Sequence, residues 1–333
     1  MFASLSPDSL LSMARALAAA GAWDELREVL GGRPRDAGAH PELVTLLAEA
    51  LLRTRFPRHA RTWLRRTLRR VERSGDRAAL RRAVNLSGAA YFELGELEDA
   101  RRDFSRALEL GREDADDLTV ARATNNLGAI ANVRGDRARA LSLYQLAIPA
   151  YQRLGSALGL AQTYHNMAIS LRDLGQYTRA DECERRAIEH ARRAESPRLV
   201  ALALLGRADL SLRSGDAALA EVGARRAADS FDALRDPINA ADARRVVGAA
   251  LLAQGRLDAA HDALDDALRR ARAHGSALHE AESLRALAEL HAARGDVSAS
   301  LRAGWEALAV FDRLAAVAES AQLRDWLARY VAA

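Results

Sequence analysis

Glycine recurs at Gly95, Gly135, Gly175, Gly215, Gly255 and Gly295, forty residues apart each time. The register extends to neighbouring columns. Five residues after each glycine stands Ala100, Ala140, Ala180, Ala220, Ala260 or Ser300, and twelve after it Ala107, Ala147, Ala187, Ala227, Ala267 or Ala307. Such self-similarity marks one supersecondary unit copied along the chain. Before each glycine runs a segment carrying a small residue: Gly88, Gly128, Ala168, Ala208, Gly248 and Ala288. After it, apolar residues recur at three- and four-residue spacing, as in Leu97, Ala100, Phe104, Ala107 and Leu108. The unit is therefore a pair of antiparallel helices, with glycine in the left-handed turn and small residues letting the backbones close up.

A second set of breakers keeps the same period: Ser74-Gly75-Asp76, Asp114-Ala115-Asp116, Gly155-Ser156, Ser196-Pro197, Asp236-Pro237 and Gly275-Ser276. These join one hairpin to the next. Upstream, one further hairpin centres near Arg55 and another on Gly21, with Gly31-Gly32-Arg33-Pro34 read as a plain loop between them. The chain is thus expected to be all-α, a single α-α superhelix (solenoid) of about eight helical hairpins. The N-terminal hairpin covers 1–35, the repeats cover 40–75, 77–113, 118–154, 158–195, 198–235, 238–274 and 278–315, and a capping helix covers 317–333. Leu323, Trp326, Leu327 and Tyr330 form one stripe on that last helix. It either seals the end of the stack or, with Trp305, mediates a homodimer.

Composition narrows the function. All 49 basic residues among the 333 are arginine. That removes Walker P-loops, kinase lysines and Schiff-base lysines, and it is the usage of a GC-rich bacterial genome. HExxH, GxSxG, GxGxxG and paired CxxC motifs are absent from the sequence. His274 and His279 straddle a turn without a third ligand. The lone cysteine, Cys183, stands between Glu182 and Glu184, which disfavours a thiolate. No enzyme, metal or cofactor is expected. The N-terminus reads as a capped helix start, Ser6-Pro7-Asp8, not as a signal peptide, and no apolar run reaches membrane length, so a cytoplasmic chain without membrane contact is expected.

These residues resemble tetratricopeptide repeats: Gly88, Tyr91, Gly95, Ala100, Phe104 and Ala107, then Leu127, Gly128, Gly135, Ala140, Tyr144 and Ala147. The resemblance covers residues 5–315. The period is forty where the common form has about thirty-four, similar to Leu-Gly-Asn-type adaptors, kinesin light chains, Rap-type peptide sensors and maltose-regulator-type factors. The usual proline late in the second helix is missing. The family implies a concave peptide-binding wall made by the first helices. Carried over by register, that wall comprises Arg82, Asn85, Arg122, Asn125, Asn126, Gln162, His165, Asn166, Arg172, Asp209, Arg213 and Arg245, followed by apolar Leu202, Leu205, Leu212 and Leu252. Asparagine suits a peptide backbone and arginine a carboxylate. Helix-to-helix hydrogen bonding is the competing role for Asn126 and Asn166. The lysine-based carboxylate clamp of chaperone-binding relatives is not matched.

The expected partner is a protein or peptide, with an acidic segment, bound by an adaptor or scaffold. A ligand-responsive sensor acting in trans is the alternative. A second alternative is nucleic acid on the basic stripe: between Arg53 and Arg82 twelve arginines meet two acids, a net of +10 in a chain of net +4. Arg61, Arg65 and Arg69 share one face of that stripe. Trp63 falls on its apolar side, so base stacking has no support.

Overall fold

The computed structural model describes residues 6–314 and 316–332. Among them every regular element is a helix, so the fold class is the expected one. The chain divides into two compact units, one up to Ile130 and one from Ala131.

The first unit holds α1 (Pro7–Ala19), α2 (Trp23–Gly31), α3 (Pro34–Ala39), α4 (Pro41–Arg53), α5 (Pro57–Arg73), α6 (Arg77–Glu93), α7 (Leu97–Glu113) and most of α8 (Asp117–Val133). The second holds α9 (Arg137–Arg153), α10 (Ala157–Asp173), α11 (Tyr177–Arg193), α12 (Pro197–Arg213), α13 (Ala217–Ala233), α14 (Pro237–Ala253), α15 (Leu257–Ala273), α16 (Ala277–Ala293), α17 (Val297–Arg313) and α18 (Val317–Ala332). One expectation needs correction. The Gly31–Pro34 segment is not simply a loop: Gly31 ends α2, and Pro34, free of any donor to satisfy, starts the short helix α3. Its Ala37 is fully buried among Leu10, Leu26, Leu30 and Leu43.

From α5 to α17 every helix has seventeen residues. Three residues separate each from the next, so the true beat is twenty residues, half the sequence period. The turns explain the beat. A left-handed residue stands at Arg55, Gly75, Gly95, Ala115, Gly135, Gly155, Gly175, Glu195, Gly215, Arg235, Gly255, Gly275 and Gly295. The next residue donates its N–H back five positions, as Glu96 does to Tyr91, Asp136 to Ala131 and Asp216 to Ser211, each at 2.9 Å. That bond closes the helix end and directs the chain back antiparallel. The same residue then caps the following helix: carboxylates of Asp76, Asp136, Asp216, Asp236 and Asp296 accept from the N–H three residues on. Pro149, unexpectedly, lies inside α9.

Ala115, Glu195 and Arg235 hold φ of 51°, 48° and 53°. Without glycine, a left-handed backbone costs roughly 1–2 kcal/mol. Placing glycine at all three should stabilise the protein by about 2 kcal/mol in total, since glycine also enlarges the unfolded ensemble. Denaturant midpoints check this; an unchanged or lower midpoint refutes it.

Packing within a hairpin is size-complementary. Gly88 on α6 faces the Phe104 ring on α7, where an added Cβ would lie 2.7 Å from the ring carbons. Gly248 on α14 makes the same room for Leu264 on α15. In the second unit one apolar cluster runs from Ala201 on α12 to Leu327 on α18. Leu323 and Leu327 are each 1% exposed, with Leu327 seated over Gly304 of α17. Trp326 and Tyr330 stack at 5.2 Å between centroids. The terminal stripe therefore packs on the last hairpin, while Trp305 stays 54% exposed. No helix among the described residues is long and apolar enough to cross a membrane.

Candidate functional site

First helices touch the next first helix. In the first unit α4 packs on α6; in the second α10, α12, α14 and α16 pack in succession. The side chains on this face are the ones the register selects.

In the first unit, Arg82 pairs with Glu49 of α4 at 2.5 Å. Asn126 donates to the Asn85 oxygen at 3.3 Å, joining α8 to α6. Arg122 is exposed, but Asn125 is 4% exposed and belongs to the interior, not to an open wall. Asparagines at successive repeats here serve helix-to-helix bonding, because a buried amide must find partners.

In the second unit the structure brings Arg172, Asp209, Arg213 and Arg245 into one ionic ladder. Arg172 reaches Asp209 at 2.9 Å, Arg213 reaches the same carboxylate at 3.1 Å, and Arg245 reaches Asp242 at 2.6 Å and Glu282 at 3.4 Å. Asp209 is 7% exposed. Burial works against its charge, yet Arg172, Arg213 and Arg245 hold its carboxyl below the usual range. For Asp242 burial is again the largest influence, overcome by Arg245 and His279. The ladder satisfies itself, so these arginines are not the idle forks the register suggested. Asp242, His279 and Glu282 also lie close enough together to resemble a metal triad. The Arg245 guanidinium already sits on both carboxylates, so the cluster holds its cation covalently. His279 joins this group, not His274.

Gln162 is exposed, and His165 and Asn166 are half-buried beside it. The His165 Nδ1 lies 3.0 Å from the Glu184 carboxylate of α11, and Glu184 is 1% exposed. Glu184 escaped notice as a site residue, though a signal existed. In the repeat column Phe104, Tyr144, Glu184, Ala224, Leu264 and Gly304, it alone is charged. Burial pushes the Cys183 thiol up to about 11, which disfavours its thiolate.

Leu202, Leu205, Leu212 and Leu252 could form an apolar continuation of the wall or serve ordinary helix packing; Leu205 is 5% exposed, and Leu202 and Leu252 pack against the core cluster. On α5, Arg65 and Arg69 are exposed, while Arg61 pairs with Glu96 and Arg70 donates to the Gly38 carbonyl at 2.8 Å. Trp63 donates to the Val44 carbonyl at 3.0 Å and packs inward. The stripe is thus partly spent on the fold.

No curated protein sequence matches the chain. Among solved structures, a Rap protein complexed with Competence and Sporulation Factor is similar over 97% of this chain and 96% of its own, at 16% identity and TM-score 0.68. The apo quorum sensor NprR from B. thuringiensis is similar over 98% and 97%, at 14% identity and TM-score 0.60. Cut9 of the APC/C hetero-tetramer Cut9-Hcn1 matches over 97% of this chain and 55% of its own, at 17% identity and TM-score 0.63. At such identities the likeness establishes fold. The tetratricopeptide repeat family model matches residues 119–193, the segment containing Gly128, Gly135, Ala140, Tyr144 and Ala147. With its period, its hairpins and that match, the chain is a tetratricopeptide-type repeat protein.

Proposed function

We propose that the first-helix face of the second unit binds an extended peptide, and that occupancy regulates a partner protein acting in trans. The observation carrying this is the exposed Gln162 amide on α10, next to half-buried His165 and a self-satisfied ionic ladder. A face held by its own salt bridges is preorganised, so a guest loses little affinity to ordering it. The exposed Gln162 amide beside it offers both donor and acceptor to a peptide backbone. Support for regulation over static scaffolding comes from the similar folds: a Rap protein with Competence and Sporulation Factor, a Rap conjugation regulator with the Phr* peptide, and the quorum sensor NprR.

An array of hexapeptides probed with the full chain should yield binders that lose about tenfold affinity, roughly 1.4 kcal/mol, on Gln162→Ala. Small-angle scattering with a selected peptide should show a changed profile, because stacked repeats contact only their neighbours and bend at small cost. Binders indifferent to Gln162→Ala would remove the site. An unchanged profile at saturation would favour the fixed adaptor.

A further inference from the structure

We propose that His165, positioned from behind by Glu184, is the subsite that reads a carboxylate group of the bound peptide. This inference rests on the peptide-binding role just proposed and names the chemistry of that site.

The arrangement is built, not incidental. Glu184 occupies the column where Phe104 and Tyr144 fill neighbouring hairpins, so an apolar core position has been given to a carboxylate. Room for it comes from Gly206 on α12, where any Cβ would collide with the Glu184 carboxylate. Both Glu184 oxygens lie within 3.1 Å of the His165 Nδ1. A buried carboxylate held this way fixes the ring's orientation and leaves Nε2 as the edge available to a guest. His165 is partly exposed, with its side chain at 15%, and it stands beside exposed Gln162 on the same helix face.

The protonation of the pair decides what Nε2 offers. With two protons shared, either imidazolium faces carboxylate or neutral imidazole faces a carboxylic acid. Both forms carry a proton on Nε2. Only the singly protonated pair, which buries a net negative charge, presents a bare nitrogen, and low dielectric disfavours it. Burial by itself opposes a charged His165, but the Glu184 charge and hydrogen bond outweigh it, so the His165 pKa is raised. The other charges acting on the ring are Arg172 of α10 and Arg198 of α12, both positive, while Asp181 acts on Glu184 from α11. Arg172 is paired with Asp209 and Arg198 with Asp236, so the guest meets an N–H donor on a pair that carries no net charge of its own. An anion suits it, and on a peptide that anion is a carboxylate. As pH rises through the raised His165 pKa the donor is lost, so carboxylate binding is present below that pKa and fades above it.

The test uses the full chain and two probes. The first is the hexapeptide array made in four forms: free C-terminus, C-terminal amide, and each with Asp and Glu replaced by Asn and Gln. The second is sodium acetate, followed through the His165 ring signals by NMR. Wild type should prefer carboxylate-bearing peptides about tenfold, with the preference falling at alkaline pH. Whichever form carries the preference tells terminal from side-chain carboxylate. His165→Gln should abolish the preference, and Glu184→Gln should weaken it and return the histidine titration towards its ordinary range. Acetate should shift the His165 signals in wild type even if no peptide binds; that result supports the subsite while removing the peptide reading. Peptide binding with no carboxylate preference, or a preference surviving His165→Gln, overturns the subsite and leaves the peptide reading intact. Should Glu184→Gln not fold, the wild-type pH profile and His165→Gln decide alone.

Discussion

Replacing Arg245 by methionine should cost about 3 kcal/mol at neutral pH, the scale for removing one partner of a buried ion pair. Arg245 on α14 is the cation shared by Asp242 and Glu282, at 2.6 and 3.4 Å, and its side chain is only 15% exposed. It also acts on Asp209 of α12. Without it, half-buried Asp242 and Glu282 lose their shared cation and face each other close to buried Asp209. The melting temperature of the second unit should fall by roughly 10 °C.

The pH dependence distinguishes this from lost packing. In the wild type Asp209 and Asp242 have lowered pKa values. Their contribution is thus present above the unfolded carboxylate range, near pH 4, and lost as pH falls through the lower folded values. In the variant the sign reverses: protonation relieves stranded charges, so the deficit against wild type should shrink on acidification towards pH 4. Thermal melts at pH 4 and pH 7 measure it. An equal deficit at both would mean that Arg245 acts through its aliphatic stem.

The second large effect concerns Phe104, which is 2% exposed. Phe104→Ala should cost about 3–5 kcal/mol, the usual price for emptying an aromatic core site. Its facing residue makes the prediction sharper. Gly88 has no side chain to collapse into the cavity, because its Cβ would lie 2.7 Å from the ring. Gly88→Ala alone should destabilise by roughly 1–3 kcal/mol through overpacking, despite alanine's better helix propensity. In the Phe104→Ala background the same change should stabilise, by about 1 kcal/mol or more, since the methyl now fills space and stiffens α6. A double-mutant cycle reads this change of sign. Additive effects would show that the glycine and the ring are not coupled.

Much of the architecture was legible in advance because its causes are local. A left-handed turn needs glycine or tolerates a strained substitute, so the turns at Gly95 through Gly295 announced themselves. The intervening turns at Ala115, Glu195 and Arg235 were found only as breakers. Their left-handed backbones carry no compositional mark, which hid the twenty-residue beat. The α3 helix was missed because paired glycines before a proline resemble a loop, whereas burial of Ala37 against α1, α2 and α4 makes six residues helical.

The site was less legible. Register selected Arg172, Asp209, Arg213 and Arg245, and in the structure all four stand in ion pairs. It could not show that they neutralise one another. Nor could it single out Asn125 as buried, or Glu184 as the group behind His165. Arg172 and Asp209 are 37 positions apart and His165 and Glu184 are 19 apart, and those distances exist only once helices pack.

The sequence by itself determined the helices, their turns and the order in which they pack, since backbone conformation and apolar periodicity act within some twenty residues. Which polar side chains pair with neighbours, as Asp209 and Glu184 do, and which stay exposed, as Gln162 does, follows only from the packing of helices. A charge takes counterparts wherever space brings them, and Arg172, Arg245 and His165 each have one on another helix.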